Sequence, residues 1–423
     1  MRRWRTLGTV LAVLGATVVL VATLTPVMDL RGLALGTPIL CLVCGDYGGA
    51  DVAANLFLFL PLAVGLRLSG QSWGRTVLVC GLLSFTVELL QLRVVSGRDS
   101  SLSDLLTNTT SAAIGAGLGG ILPRMVAPRP RAAAVFLAAG TALLLFLLAA
   151  SAWLLAPWIP DRPLSSSWAH IAPGFDVFSG GVEAVHLNGA PMPPDGAPAD
   201  SAALRRRLAG GSFELEADVI SGVPLDYRSW IYNLRVGSDR ALTLSQFQRK
   251  ARIDVPARAL RFRMFLPAVT LPEGLPERAG VPVRLTASGR GGRVRLTSDY
   301  AGRERSVELA MSPAYGWIMV LPLDLAAGTG VRWITALGLA LAALPLGFWA
   351  RQTGRPAAGL AWLGATLVLA LAVIPAAGGF PPVHWSEWVA GTFGAAGGWA
   401  LRRPAAYLEE RCASASEIES SSS

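Results

Sequence analysis

Eight stretches of the chain are too apolar to sit in water, and short arginine clusters punctuate them. They cover residues 7–25, 51–68, 76–95, 104–122, 132–158, 328–350, 357–376 and a shorter, glycine-rich 386–401. A run of about 18 or more apolar residues is long enough to cross a bilayer core of ~30 Å as a helix. Arg2, Arg3 and Arg5 precede the first run, Arg67 stands at the end of the second and Arg75 just before the third. Arg124, Arg129 and Arg131 lie between the fourth and fifth, Arg351 and Arg355 between the sixth and seventh, and Arg402-Arg403 close the eighth. If all eight runs span, every cluster falls on one side, as the positive-inside rule requires. Both termini are then cytoplasmic, the polar stretch after the fifth run is extracytoplasmic, and the location is a bacterial inner membrane. The first run lacks an A-x-A-like cleavage site, so it reads as a retained signal anchor.

Composition agrees with this reading: 52% of the 423 residues are hydrophobic and 15% are charged. Mean hydropathy is +0.47. The net charge of +9 would suggest nucleic acid on a soluble domain. Here topology accounts for the arginines, and no nucleic-acid partner is expected. His170, His186 and His384 are scattered, so no metal or cofactor is expected. Cys41 and Cys44 form a C-x-x-C without the context of a redox motif, and an oxidising compartment favours a local disulfide between them. Cys80 falls inside a span and reads as packing. No G-x-S-x-G is present, and Gly289-Arg290-Gly291-Gly292 joins two strand-like segments, which makes it a turn rather than a phosphate loop. No catalytic motif is recognisable, which leaves enzymatic activity open.

The stretch 161–327 has the period of strands. Phe213-Glu214-Leu215-Glu216-Ala217-Asp218-Val219 alternates apolar and acidic residues. Residues 281–287 and 294–296 alternate on either side of the glycine turn, as a hairpin does, and residues 260–265 read as a further strand. The expected fold class is an α-helical polytopic membrane bundle of about eight helices, five then three, with an inserted all-β jelly-roll-like sandwich. The boundaries are 1–160, 161–327, 328–403 and a disordered serine-rich tail 404–423.

Polar side chains inside apolar runs need a reason, since a charge at mid-bilayer costs about 2.5–3.5 kcal/mol on insertion scales. Ser84, Glu88 and Gln91 share one face of the third run, and Asp104, Asn108, Ser111 and Gly115 share one face of the fourth. Asn55 lies in the second, and Arg98 and Asp99 in the loop between the third and fourth. Span direction places Asn55, Glu88, Gln91, Arg98, Asp99, Asp104 and Asn108 at one depth, in the outer leaflet. They are either hydrogen-bonded glue between helices or a site for a polar headgroup, a proton or a cation. Ser103-Asp104, Thr109, Ala112-Ala113 and Gly115 are echoed by Ser386-Glu387, Thr392, Ala395-Ala396 and Gly398, as if the eighth run were a degenerate copy of the fourth.

Asn55-Leu56-Phe57-Leu58-Phe59-Leu60-Pro61-Leu62, then Ser84-Phe85-Thr86-Val87-Glu88-Leu89-Leu90-Gln91, then Gly97-Arg98-Asp99 with Asp104-Leu105-Leu106-Thr107-Asn108, resemble the VanZ-like membrane family over residues 41–120. The resemblance maps the family's polar positions onto Asn55, Glu88, Gln91, Arg98, Asp99, Asp104 and Asn108. It implies action at the cell envelope and a link to teicoplanin-type glycopeptide resistance, with no settled reaction. The segments around 213–216, 242–246 and 287–289 resemble a LamG/concanavalin-A-like jelly roll, which implies a glycan, peptidoglycan precursor or other envelope polymer as partner, beside the lipid bilayer. An enzyme or transporter for a lipid-linked precursor, and a scaffold binding an envelope protein, remain open beside a binding role.

Overall fold

The computed structural model describes residues 2–25, 40, 43, 47–95, 101–169, 176–237, 239–321 and 329–401. Six helices come first: α1 (Arg2–Leu24), α2 (Gly48–Leu58), α3 (Leu60–Leu68), α4 (Trp73–Arg93), α5 (Leu102–Val126) and α6 (Pro130–Leu155). Pro61 breaks the second apolar run into α2 and α3, because it has no N–H for the ladder. Strands β1 (Leu164–Trp168), β2 (Asp176–Val177), β3 (Gly181–Leu187), β4 (Ala190–Pro191) and β5 (Asp195–Gly196) lead to a surface helix, α7 (Ser201–Ala209). Then follow β6 (Phe213–Ile220), β7 (Ser229–Val236), β8 (Asp239–Phe247), β9 (Lys250–Asp254), β10 (Ala268–Leu271), β11 (Pro282–Arg290), β12 (Arg293–Tyr300) and β13 (Arg303–Ala310). The chain closes with α8 (Thr329–Gln352), α9 (Pro356–Val368), α10 (Ile374–Ala377) and α11 (Trp385–Ala400). A single π-turn, Leu369–Val373, joins α9 to α10 just before Pro375.

Among the described residues, seven helical stretches are long and apolar enough to cross a membrane. With the apolar composition they make this a membrane protein. The eighth expected span, α11, has 16 residues. At 1.5 Å per residue that is about 24 Å, short of a full hydrocarbon core. It packs along α8 at near-backbone contact: a Cβ on Gly394 would lie 2.2 Å from the Ala340 carbonyl oxygen, and one on Gly398 1.8 Å from that of Leu344. The glycines that lower its apolarity are the ones that let it approach.

The strands form two sheets that face each other. One runs β10-β9-β8-β7-β1-β5, with β2 added in parallel beside β7, and the other runs β13-β12-β11-β6-β3-β4. The alternation in β6 is realised: Phe213, Leu215, Ala217 and Val219 point into the core while their neighbours face out. The β11–β12 hairpin turns on Gly291 and Gly292 alone, both at positive φ (54° and 75°), the twist that a two-residue loop needs. Gly289 and Arg290 extend the strand instead of turning it. The sandwich core is continuous with the ends of the helices, running from Leu244 and Leu285 through Tyr315 and Met319 to Leu155 and Phe380.

Residues 260–265 are not a strand. Arg258–Phe262 form a 3-10 turn, and Arg263 follows at φ 51°. This segment leaves the sheet and seats the sandwich on the bundle. Its Arg263 carbonyl accepts from the backbone N–H groups of Gly49 (3.1 Å) and Ala50 (3.4 Å), which are unsatisfied donors at the start of α2. Phe262 meets Trp153 edge-on at 5.7 Å, and Phe265 stacks on Tyr47 at 4.3 Å. A Cβ on Gly49 would lie 1.8 Å from the Phe262 carbonyl oxygen, so only glycine admits this approach.

Candidate functional site

The expected polar cluster forms at the sandwich end of the bundle, though not as one network. Ser101 caps α5, its hydroxyl accepting from the Asp104 N–H at 3.0 Å. The Ser101 N–H donates to Glu88 Oε2 at 2.8 Å, so a carboxylate on α4 fixes the entry into α5. Asn55 Nδ2 donates to Asp104 Oδ1 at 2.6 Å, joining α2 to α5. One helix turn deeper, Asn108 Nδ2 donates to Ser84 Oγ at 3.1 Å, joining α5 to α4. Gln91 turns away: its Nε2 donates to the Thr23 carbonyl of α1 at 2.9 Å. The helical spacing put Gln91 on the right face but left open which neighbour that face would meet. Arg98, expected as the counter-charge to Glu88 and Asp104, the neighbouring Asp99 and the Cys41–Cys44 pair lie outside the described residues. Cys80 is fully buried among apolar neighbours.

Burial grades the cluster. Ser84, Glu88, Gln91 and Asn108 are buried, whereas Asn55 and Asp104 are half-buried. Asn108 Oδ1, Gln91 Oε1 and Ser111 Oγ have no hydrogen-bond partner among the described residues. Hydrogen bonds across three helices are enough to hold them together, and the Asn55–Asp104 pair is the least buried part of the cluster.

A second carboxylate stands where the internal echo placed it. Glu387 lies in the first turn of α11, as Asp104 does in α5. It is only 2% exposed. Ser312 Oγ donates to its Oε2 at 2.8 Å, while Oε1 has no partner among the described residues. His384 caps the same helix, its Nδ1 2.9 Å from Ser386 Oγ. No motif marks Glu387 as a site residue; only its repeat relation to Asp104 could have singled it out.

The sandwich adds a third group of polar residues. Strand pairing aligns Ser167, Asn233, Thr243 and Asp254 in one row across β1, β7, β8 and β9. Trp230, Ser245, Arg252 and Thr270 form the next row on the same face. Core residues Leu234, Leu242, Leu244 and Ile253 occupy the opposite face. The polar rows are nonetheless covered, because the segment after β9 and Tyr47 fold over them. The result is a small cleft, with a cavity of about 40 Å³. Arg240 spans it: its Nη2 donates to the Tyr47 hydroxyl at 2.9 Å, and its guanidinium lies 5.2 Å from the Tyr47 ring and 5.6 Å from that of Trp230. Tyr47 caps α2, the helix that carries Asn55 eight residues on. At 1.5 Å per residue the two positions are about 12 Å apart along one helix.

No curated protein and no solved structure matches the chain. The family model described as VanZ/LLP1 matches residues 10–123. That match takes in α1 as well as the motif-bearing α2–α5, and so includes Asn55, Glu88, Asp104 and Asn108. The chain is thus a membrane protein whose first helices form a VanZ-like region, followed by two facing sheets and a second group of apolar helices.

Proposed function

We propose that this is a cell-envelope membrane protein whose VanZ-like region holds the polar headgroup of a membrane-bound component in the outer leaflet. The β domain, on the extracytoplasmic side, reads the glycan or envelope polymer that the component carries. The observation behind this reading is the sharing of α2: its first turn seats the sandwich, and its second half presents Asn55 to Asp104. A half-exposed carboxylate–amide pair at the outer end of a bundle suits the hydroxyls, amides or amines of a headgroup. A part in glycopeptide resistance is the phenotype this reading assigns, since such drugs act on wall precursors. Glu387, with one buried carboxylate oxygen unpartnered among the described residues, favours a second reading: a transporter or enzyme acting on a lipid-linked precursor, with this group carrying a proton.

The test is native mass spectrometry of the full chain purified from its own membranes. Wild type should retain a lipid-linked species. Glu88→Gln with Asp104→Asn, at equal membrane abundance, should lose it. Retention of the same species by the double variant contradicts the proposal. Loss on Glu387→Gln with the Asp104 variant still binding selects the second reading.

A further inference from the structure

We infer that Glu387 is a proton-binding site that latches α11 to the exit of the sandwich, so that the second group of helices holds the β domain only while this carboxyl is neutral. The inference rests on the second reading above for the proton on Glu387, and goes beyond it in needing no substrate.

The sandwich leaves for the helices through one 3-10 turn, Pro313–Met319, which follows β13. Three helices hold this turn. From α6, Ser151 Oγ donates to the Pro313 carbonyl. On α8, Thr335 Oγ1 accepts from Trp317 Nε1 at 2.9 Å, and Arg332 hydrogen-bonds to the Tyr315 hydroxyl. The third helix is α11, and Ser312 makes the link. Its hydroxyl accepts from the Ala314 N–H at 3.2 Å and donates to Glu387 Oε2 at 2.8 Å. One hydroxyl thus caps the turn and holds the helix. The β11–β12 hairpin reaches the same place. The Met311 N–H donates to the Gly292 carbonyl at 2.8 Å, and a Cβ on Gly292 would lie 2.9 Å from Pro381 Cδ, just ahead of α11.

Glu387 is satisfied on one side only. Besides Ser312, the backbone N–H of His384 bonds to its carboxyl, the reach of a third helical residue back to its N-cap. Oε1 has no partner among the described residues, and the side chain is 2% exposed. A buried carboxylate needs donors at both oxygens or a counter-charge, and the neighbours supply neither. Tyr315 is the ionisable group of the turn, and Arg332 of α8 is bonded to it. Burial, and then Arg332 nearby, hold the His384 imidazole below its ordinary value. It stays neutral at pH 7, and its Nδ1 accepts from the Ser386 N–H at 3.3 Å. Beside the hairpin turn, Arg293 pairs with Glu308 at 3.3 Å and Arg290 is exposed. Helices α9 and α10 carry no ionisable residue, and α6 carries only Arg131, at its far end. The pocket therefore fits the neutral acid. Ionisation calls for water at Oε1, which enters only if α11 and the turn move apart.

The sign follows from linkage. The latched form binds the proton more tightly than the open form, where an exposed glutamate titrates near pH 4.3. Latching is then strongest in acid and weakens up to tenfold per pH unit as pH rises above about 4.3. Titration of His384 would act in the opposite direction, since protonating Nδ1 destroys the cap as pH falls.

Hydrogen exchange by mass spectrometry on the full chain in nanodiscs reads the latch. Rates for residues 313–319 and 385–392 are divided by the free-peptide rate at each pH from about 4.5 to 8. Wild-type protection there should fall about tenfold or more as pH rises, while Gly49 and Ala50 stay unchanged. Glu387→Gln, neutral at every pH, should remain protected throughout. Ser312→Ala takes a donor from the ionised form and should extend the fall to higher pH. His384→Asn keeps a capping acceptor and should keep the fall. Wild-type protection that is flat or rises with pH, or the same fall in Glu387→Gln, overturns the inference. Native mass spectrometry on the same samples separates it from the second reading. A lipid-linked species retained by Glu387→Gln removes that reading, and a fall seen in wild type but not in this variant still supports the latch.

Discussion

The two sheets of the sandwich share a core but differ on their outer faces. The β13-β12-β11-β6-β3-β4 sheet turns charge to solvent: Arg284 donates to Asp218 at 2.8 Å, and Arg295 to Glu308 at 2.6 Å, with their side chains 60% exposed or nearly so on the arginine side. The other sheet buries its outer face. Strand β7 is buried at every position but Arg235, yet its outward residues are polar or amphipathic. A solvated face is explained by water alone. A buried face of Asn, Ser, Thr, Arg and Trp is explained by its cover, here the 3-10 segment and Tyr47, and by what the space between them accommodates. The difference marks which sheet of the β domain meets the bundle.

Four predictions probe this comparison. The largest effect comes from the shared core, where the two sheets should behave alike. Leu244 and Leu285 are each 1% exposed, and truncation of either to alanine should cost about 2–5 kcal/mol, read as a drop in the unfolding midpoint. A cost confined to one sheet would break the two-sheet core. Next is Gly49→Ala, which drives a methyl into the Phe262 carbonyl and should cost about 1–3 kcal/mol as overpacking. It should speed hydrogen exchange in β8 and β9 while leaving β12 and β13 unchanged. Smaller again, Arg284→Ala removes an exposed ion pair and should shift stability by about 1 kcal/mol or less, reduced further by salt. The smallest is a pH effect. Hydrogen bonds from Arg295, then Arg293, hold the Glu308 carboxyl below its ordinary value. A depressed carboxylate contributes stability above its unfolded pKa of about 4.3 and loses it as pH falls through the folded value. Acid titration should therefore loosen β12–β13 below about pH 4, and Glu308→Gln should remove that dependence.

The parts of the fold that repeat a period were legible in the sequence. Apolar runs ended by arginines gave the bundle, and the alternation of Phe213 to Val219 gave a strand with the correct inward set. The segment 260–265 misled because Leu260, Phe262 and Met264 alternate with arginines as a strand would. Its apolar residues instead serve contacts with Trp153 and Tyr47, which are distant in sequence. In the bundle, helical spacing put on facing helices the side chains that bond there, Asn55 with Asp104 and Ser84 with Asn108. The partner of Gln91 was not legible, because it is a backbone carbonyl of α1, and a carbonyl carries no sequence signature. The cleft over β7 was invisible for the same reason: alternation marks a polar face, but not whether that face is covered.

The account rests on the seating of the sandwich on α2, and hydrogen exchange at Gly49 and Ala50 tests it most directly. First-turn amides of a helix have no partner within the helix and exchange readily. Here both donate to Arg263 across the junction. In the full chain in nanodiscs these two amides should be protected well beyond those of Trp73 and Gly74 at the start of α4, and Gly49→Ala should abolish the protection of Ala50. Exchange at Gly49 and Ala50 as fast as at Trp73 and Gly74 would contradict the seating, and with it the joint site.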